Sequence, residues 1–314
     1  MRFYHVSAQR LLLAFVVFCA MAQSGRGAIF STEDIVNNQS RAYAANFPQV
    51  GAIYVFTGSE YIIGSGTLAV EDDIVITAAH LFDGLDGIGG GITEVRFYLG
   101  ANVFSFDQAV YGQSWTSHPE YSPNGLLYGD HDLAVLHLAD PIVGIAPVDI
   151  FSGELTAGTN LSMVGYGRPG TFTTAMGAFD GHKRAGTNAV SGFGEDGSSS
   201  YSTYDDGFVF ARVDGPFSGQ MPLEWIGSPG DSGGGWFAPD GSLAAVSSFY
   251  TGTLTPGLIV NSSAGAVNLS DYQPWLNSTI AVMTVPEPSS LLLASAGTAI
   301  VVLQAIRKRK RASL

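Results

Sequence analysis

Short apolar runs separated by glycine-rich turns are the feature that most constrains the fold of this chain. The runs are four to eight residues long and occur at 51–57, 93–99, 161–164, 207–213 and 243–250. Runs of this length favour strands, and no long amphipathic helical pattern or internal repeat accompanies them. The sequence therefore predicts an all-β domain of the barrel or sandwich type.

A serine set among glycines is the first chemical signal. The segment GDSGGG occupies 230–235 and places Ser232 directly after an acidic residue. Because glycine has no Cβ, such a segment can turn sharply and bring backbone N–H groups close to a substrate carbonyl. Glycine contributes 40 of the 314 residues, so this segment taken alone also fits an ordinary turn.

Two more segments supply the groups that a serine nucleophile requires. The β-rich stretch DIVITAA at 73–79 leads into His80, and Asp132 opens the apolar segment DLAVL. The order along the chain is His80, Asp132, Ser232, with separations of 52 and 100 residues. Each residue taken singly also fits a structural role. Together they match the base, orienting acid and nucleophile of acyl transfer.

The motifs TAAH, DLAVL and GDSGG, in this order, resemble those of the chymotrypsin- and trypsin-like serine proteases. α/β-Hydrolases and subtilisins order their catalytic residues differently. The resemblance covers about residues 35–280 and implies two six-stranded antiparallel β-barrels packed face to face, with a short C-terminal helix. The N-terminal barrel would span 35–148 and hold the base and the acid. The C-terminal barrel, with its closing helix, would span 149–282 and hold the nucleophile.

The resemblance also implies a role for each site residue. Ser232 would attack the scissile carbonyl, His80 would take its proton, and Asp132 would hold the imidazole tautomer. The backbone N–H groups of Gly230 and Ser232 would form the oxyanion hole. We therefore expect an endopeptidase that acts on polypeptides and uses no cofactor and no metal.

The resemblance further suggests how the site is activated. A cut following Asp34 would free the amine of Ile35, which would fold in to pair with Asp231. Residues 23–34 would then be a propeptide. Two asparagines follow Ile35-Val36 where the family usually has two glycines, and bacterial relatives do not all require such a cut. Activity without this cut therefore stays an alternative.

The expected substrate pocket is apolar. The resemblance implies that Ile226, six residues before Ser232, forms the floor of the primary specificity pocket, and that Ser247 and Phe249 line the cleft. No acid at the floor is present to hold lysine or arginine. An apolar or small side chain is therefore the expected guest.

The acidic composition argues against nucleic acid as a partner. The whole chain has a net charge of −13, and residues 23–285 carry 26 acidic against 7 basic side chains, a net charge of −19. Such a surface repels a polyanion. Acidic clusters at 195–196 and 205–206 could bind calcium but lack an ordered ligand spacing. The remaining histidines of this segment show no metal-ligand spacing either; they are His118, His131, His137 and His182.

The N-terminal end carries an export signal. Residues 1–22 have basic residues before an apolar stretch and end in Ala-Met-Ala, which is typical of a cleaved secretory signal peptide. The single cysteine, Cys19, lies inside this segment. The mature chain is therefore expected to fold without disulfides.

Residues 285–314 resemble a PEP-CTERM sorting tag, because Pro-Glu-Pro is followed by the apolar segment 291–306 and the basic segment 307–311. As a helix, the apolar segment would span about 24 Å, and local bilayer thinning could let it serve as a transmembrane helix. The resemblance implies an exosortase-type sorting enzyme as a partner, at the inner membrane of a Gram-negative bacterium. A plain membrane anchor is the alternative. Both interpretations place the domain outside the inner membrane, extracellular or at the cell surface, and anchored before any removal of the tag.

The expected function is thus a secreted or surface-associated serine endopeptidase working through an acyl-enzyme intermediate. Two alternatives remain: a non-catalytic surface binding module that kept the protease fold, and a serine esterase. Modules of the first kind usually lose at least one catalytic residue, whereas His80, Asp132, Ser232 and Gly230 are all present.

Overall fold

The structure is a computed structural model that describes residues 28–30, 35–83, 91–123, 129–171, 176–194, 207–213, 221–251 and 262–284. The predicted signal peptide, the sorting tag and the acidic clusters at 195–196 and 205–206 lie outside these residues, so they stay predictions. The chain divides into one unit over residues 1–276 and a second over 277–314. Within the described residues, no helix is both long and apolar enough to cross a bilayer.

Sixteen strands lie in the described parts of the chain. In chain order they are β1 (Ala28–Phe30), β2 (Val50–Phe56), β3 (Tyr61–Leu68), β4 (Ile74–Thr77), β5 (Glu94–Leu99), β6 (Gln108–Ser117), β7 (Ser122–Pro123), β8 (Gly129–Asp130), β9 (Ala134–Leu138), β10 (Asn160–Gly165), β11 (Pro169–Thr171), β12 (Arg184–Phe193), β13 (Phe208–Arg212), β14 (Gly235–Phe237), β15 (Leu243–Thr251) and β16 (Ser263–Asn268). The α-helices are α1 (Ser40–Ala44), α2 (His80–Asp83) and α3 (Gln273–Thr284). A π-helical turn covers Ile35–Gln39, and 3-10 turns cover Val103–Ser105 and Leu269–Tyr272.

The first barrel closes in the order β2-β3-β4-β9-β6-β5, and its neighbouring strands are antiparallel. Aliphatic and aromatic side chains fill its interior, among them Ile53, Val75, Phe97 and Leu136. Gly66 of β3 leaves the space that Val75 occupies, since a Cβ there would lie 2.6 Å from Val75 Cγ1. Strand β4 is buried along its whole length. This packing fixes the ends of β4 and β9, next to which the predicted base and acid lie.

The second barrel closes in the order β10-β12-β13-β16-β15-β14 and is also antiparallel. Its core contains Met163, Val209, Trp225 and Trp236. Each of the five apolar runs in the sequence coincides with a strand to within one residue at either end; these strands are β2, β5, β10, β13 and β15. The prediction of two six-stranded antiparallel barrels with a C-terminal helix is confirmed.

A buried lysine ties the second barrel to the first. Lys183, directly before β12, is 5 % exposed, and its Nζ donates to the carbonyls of Phe47 at 2.9 Å and Val50 at 3.1 Å. Burial lowers the pKa of Lys183 to about 8. The described residues contain no cysteine. Packing and hydrogen bonds of this kind therefore hold the two barrels together.

The N-terminal segment packs on the second barrel and its neighbouring strand. Strand β1 pairs in parallel with β11, with Ala28 opposite Pro169. Ile35 and Val36 begin the π-helical turn and are buried in the core of the second barrel. In the uncut chain, residues 28–30 of the predicted propeptide thus pair with β11, and Ile35 at the predicted new N-terminus is buried in the second barrel.

Candidate active site

His80 and Asp132 form a buried pair in the first barrel. His80 begins α2 just after β4, and Asp132 closely precedes β9, so the pairing of these strands brings the two side chains together. The ring Nδ1 of His80 lies 2.7 Å from Asp132 Oδ2, and the backbone N–H of His80 donates to Oδ1 at 2.8 Å. Asp132 is fully buried and His80 is 7 % exposed. A carboxylate placed in this way keeps the imidazole proton on Nδ1 and leaves Nε2 to act as a base.

Ser248 of β15 also binds Asp132, and this contact was not predicted from the sequence. Its hydroxyl donates to Asp132 Oδ2, so the carboxylate accepts hydrogen bonds from both barrels. The neighbouring Ser247, which was predicted to line the cleft, accepts a hydrogen bond from Trp236 Nε1 at 2.7 Å and is 7 % exposed. The register of β15 shifts between Ser247 and Phe249, at the residue that reaches the carboxylate.

The loop that carries Ser232 lies against the strands that lead to the base. The N–H of Ser65, in β3, donates to the Ser232 carbonyl at 2.7 Å. The hydroxyl of Ser65 donates to the Gly230 carbonyl at 2.8 Å. Gly233 has a φ of +83°, and a Cβ on it would lie 2.1 Å from Thr77 Oγ1. Only glycine satisfies both the positive φ and this close approach. Because Thr77 lies three residues before His80, the loop is held next to that histidine.

Two backbone N–H groups in this loop are available to a substrate oxygen. Among the described residues, neither the N–H of Gly230 nor that of Ser232 donates a hydrogen bond. Unpaired N–H groups are rare in folded proteins, and two of them in one loop could bind an oxyanion. Ser232 is partly exposed, and its hydroxyl has no hydrogen-bond partner in the described part of the chain. Contacts between nucleophile and base often tighten only when substrate binds.

Comparison with known families agrees with this geometry. The family model described as Trypsin matches residues 36–276, which is more than half of the chain. The chain belongs to the trypsin family. As a member of this family, the protein is a serine-type endopeptidase, which is a hydrolase.

Two solved structures share the trypsin-family fold with this chain. HL collagenase is 18% identical, with a TM-score of 0.56, over 75% of this chain and 94% of its own. A protein described as GrC is 16% identical, with a TM-score of 0.57, over 75% of this chain and 95% of its own. No curated protein sequence matches the chain significantly. The identities are low, so these structures establish the common fold.

Asp231, the acidic residue directly before Ser232, is surrounded by hydrogen-bond donors. Asp231 is 3 % exposed and accepts from the Gly167 N–H at 2.7 Å and from the N–H and hydroxyl of Ser228 at 2.8 and 2.9 Å. A Cβ on Gly165 or Gly167 would lie 2.3 or 2.2 Å from this carboxylate. Burial raises the pKa of Asp231 to about 6, whereas these hydrogen bonds and the charge of Arg184 favour the ionised form. The carboxylate is thus held rigidly, although its charge is costly to bury.

Arg184 connects the N-terminal segment to the surroundings of Asp231. Its side chain is 2 % exposed, its Nε donates to the Val36 carbonyl at 3.0 Å, and Nη1 and Nη2 donate to the two oxygens of Asp180 at 2.9 and 2.6 Å. Ile35, predicted to pair with Asp231 after processing, lies one residue before this anchored carbonyl and is buried. Arg184 thus binds the backbone next to Ile35, and its charge also favours the ionised form of Asp231.

Two residues predicted to shape the substrate pocket lie in or beside the core. Ile226 is fully buried and belongs to the same core cluster as Trp236. Phe249 is half-buried, and its ring packs edge-on against Phe208 and Phe210, with centroid distances of 5.1 and 5.9 Å. Both positions are thus surrounded by apolar side chains.

Replacing Ser248 tests whether the third partner of Asp132 positions the pair. We expect Ser248→Ala to lower kcat/KM for a peptide substrate by about ten- to a hundredfold. A hydrogen bond to a charged group is worth about 1.5–3 kcal/mol, and 1.4 kcal/mol is about tenfold in rate. Ser242→Ala is the matched control, because it removes a serine–carboxylate bond to Asp240 at the surface. Full activity of Ser248→Ala would show that this bond does not position the pair.

Proposed function

We propose that the chain cleaves polypeptides through an acyl-enzyme intermediate, with Ser232 as nucleophile and His80 as base. The observation that supports this most directly is the buried His80–Asp132 pair beside the loop of Ser232. Ser232 Oγ bonds to the acyl carbon while its proton passes to His80 Nε2. That proton goes to the leaving amine as the C–N bond breaks, and water then hydrolyses the ester with His80 again acting as base.

The charge that develops on the carbonyl oxygen would be held by the N–H groups of Gly230 and Ser232. Neither donates to another group among the described residues, so both are ready when the oxyanion forms. One such donor is worth roughly 3 to 4 kcal/mol in related chemistry. Asp132 would hold the ring of His80 and stabilise its transient imidazolium.

Removing the nucleophile tests this assignment. We expect Ser232→Ala to lose on the order of 10⁶-fold in kcat while peptide binding changes little. A fluorophosphonate should label the parent chain and the Ser242→Ala control, but not Ser232→Ala. Casein and simple esters separate the alternatives. A serine esterase would hydrolyse only the esters, and a binding module would take up no label. Near-normal hydrolysis of casein by Ser232→Ala would refute the assignment.

The primary specificity is proposed to be for apolar or small side chains. Ile226 would form the pocket floor, and a buried aliphatic group cannot compensate the charge of a lysine or arginine side chain. Phe249 would narrow the pocket, and Ser247 would line the wall of the pocket that β15 forms. Both lie on the strand that also supplies the partner of Asp132.

A peptide library with every residue at the position before the scissile bond tests this preference. We expect kcat/KM to be highest for small or apolar residues, since only they match the apolar floor. Ile226→Asp should raise cleavage after lysine and arginine relative to the parent chain. Strict cleavage after arginine or lysine by the parent chain would exclude the proposed pocket.

Activation is proposed to follow a cut after Asp34, which would free the amine of Ile35 to pair with Asp231. The pKa of the buried Asp231 carboxyl is raised to about 6, and a nearby ammonium group would offset the cost of its charge. In the uncut chain, Arg184 holds the carbonyl of Val36 close to this region. The cut would also separate β1, which pairs with β11, from the catalytic domain.

Export is proposed to follow from the signals at the two ends of the chain. Residues 1–22 would direct secretion, and the tag at 285–314 would hold the domain at the inner membrane until an exosortase-type enzyme removes it. The enzyme would then act outside the inner membrane of a Gram-negative bacterium, in the medium or at the cell surface.

Sequencing both ends of the exported, active protein tests these two proposals together. We expect the N-terminus at Ile35 and a C-terminus that lacks the basic segment 307–311. An active protein that begins at Gln23 would contradict activation by cleavage. Exported protein that keeps the complete tag would contradict sorting and favour a plain membrane anchor.

A further inference from the structure

Three side chains with metal-binding atoms lie together beside Asp132. His118, Glu120 and His131 each offer one nitrogen or oxygen ligand atom, and these atoms lie within 4.8 Å of one another. They come from two loops. His118 directly follows β6 and donates its N–H to the Leu133 carbonyl at 2.8 Å, whereas His131 directly precedes Asp132. The pairing of β6 with β9 therefore assembles the cluster.

The two imidazoles are already oriented by their neighbours. The rings of His118 and His131 stack with a centroid distance of 5.1 Å and an interplanar angle of 24°. Nδ1 of His131 lies 2.9 Å from the hydroxyl of Tyr272, while its Nε2 lies 3.9 Å from Glu120 Oε2. Metal-bound histidines commonly hold their second nitrogen in such a hydrogen bond, which fixes the ring and the tautomer. Nε2 of His131 therefore faces the carboxylate.

The backbone at His131 is held in an unusual conformation. Its φ is +55°, a left-handed backbone value that residues other than glycine rarely adopt. Strained residues of this kind are concentrated at functional sites, where the surrounding structure maintains them. The Leu133 N–H donates to the His131 carbonyl at 2.7 Å and closes the turn. The strain thus aims His131 toward Glu120 while Asp132 points to His80.

We propose that His118, Glu120 and His131 bind a divalent transition metal of the zinc type. Two imidazoles and one carboxylate are a common ligand set for Zn²⁺, with water as the fourth ligand, whereas calcium and magnesium prefer oxygen ligands throughout.

The exposure of the ligands allows the small closure that zinc requires. Zinc binds nitrogen and oxygen at about 2.0–2.2 Å, so ligand atoms now up to 4.8 Å apart must move closer together. The Glu120 side chain is 71% exposed and that of His131 is 26% exposed. Rotation of Glu120 therefore meets little steric resistance. The proposal does not rest on the protease function, because none of these ligands belongs to the catalytic triad.

Calorimetric titration of the metal-free, full-length chain with Zn²⁺ tests the site. We expect one Zn²⁺ per chain, and at least a tenfold loss of affinity in each of His118→Gln, Glu120→Gln and His131→Gln. A tenfold excess of Ca²⁺ should not displace the metal. His137→Gln is the matched control, because His137 also lies beside a carboxylate, 3.3 Å from Asp73, and should keep the parent affinity.

Two results would overturn the proposal. One is a parent chain that binds no zinc, or binds it no more tightly than Glu120→Gln. The other is displacement of zinc by the excess of Ca²⁺, which would indicate a general acidic surface. Glu120 is exposed, so the Glu120→Gln variant should keep the parent melting temperature and its result stays interpretable.

Discussion

The buried carboxylate of Asp132 is the group on which the geometry of the site depends. A charge without solvent is costly unless hydrogen bonds compensate it. Here the compensation comes from the ring and backbone of His80 and from the hydroxyl of Ser248. His80 and Asp132 belong to the first barrel and Ser248 to the second, so satisfying one carboxylate also fixes how the two barrels meet.

The loop that carries Ser232 is positioned by a second set of contacts across the same interface. Ser65 of the first barrel binds two carbonyls of the loop and also accepts the N–H of Tyr166 in the second barrel. Gly233 then lets the loop approach Thr77 more closely than any other residue could. Each of these hydrogen bonds has a backbone atom on at least one side. The chain therefore brings Ser232 toward His80 without disulfides in the described residues.

Local signals made the all-β fold predictable, because short apolar runs alternate with glycine-rich turns. The pairing of His80 with Asp132 was expected from the resemblance of three ordered motifs to a known family, since each residue taken singly also fits a structural role. Ser248 was missed for a physical reason. The register of β15 shifts between Ser247 and Phe249, so strand alternation alone does not tell which of two adjacent serines reaches Asp132. The cluster of His118, Glu120 and His131 has no ligand spacing in the sequence, because the pairing of β6 with β9 creates it.

The central claim is that Ser232 attacks a carbonyl whose oxygen is then held by the loop's own N–H groups. A crystal structure of the active, exported protein after reaction with a fluorophosphonate tests it most directly. We predict phosphorus bonded to Ser232 Oγ, with the phosphoryl oxygen about 2.7–3.1 Å from the nitrogens of Gly230 and Ser232. An adduct on another residue, or a phosphoryl oxygen directed into solvent, would contradict it.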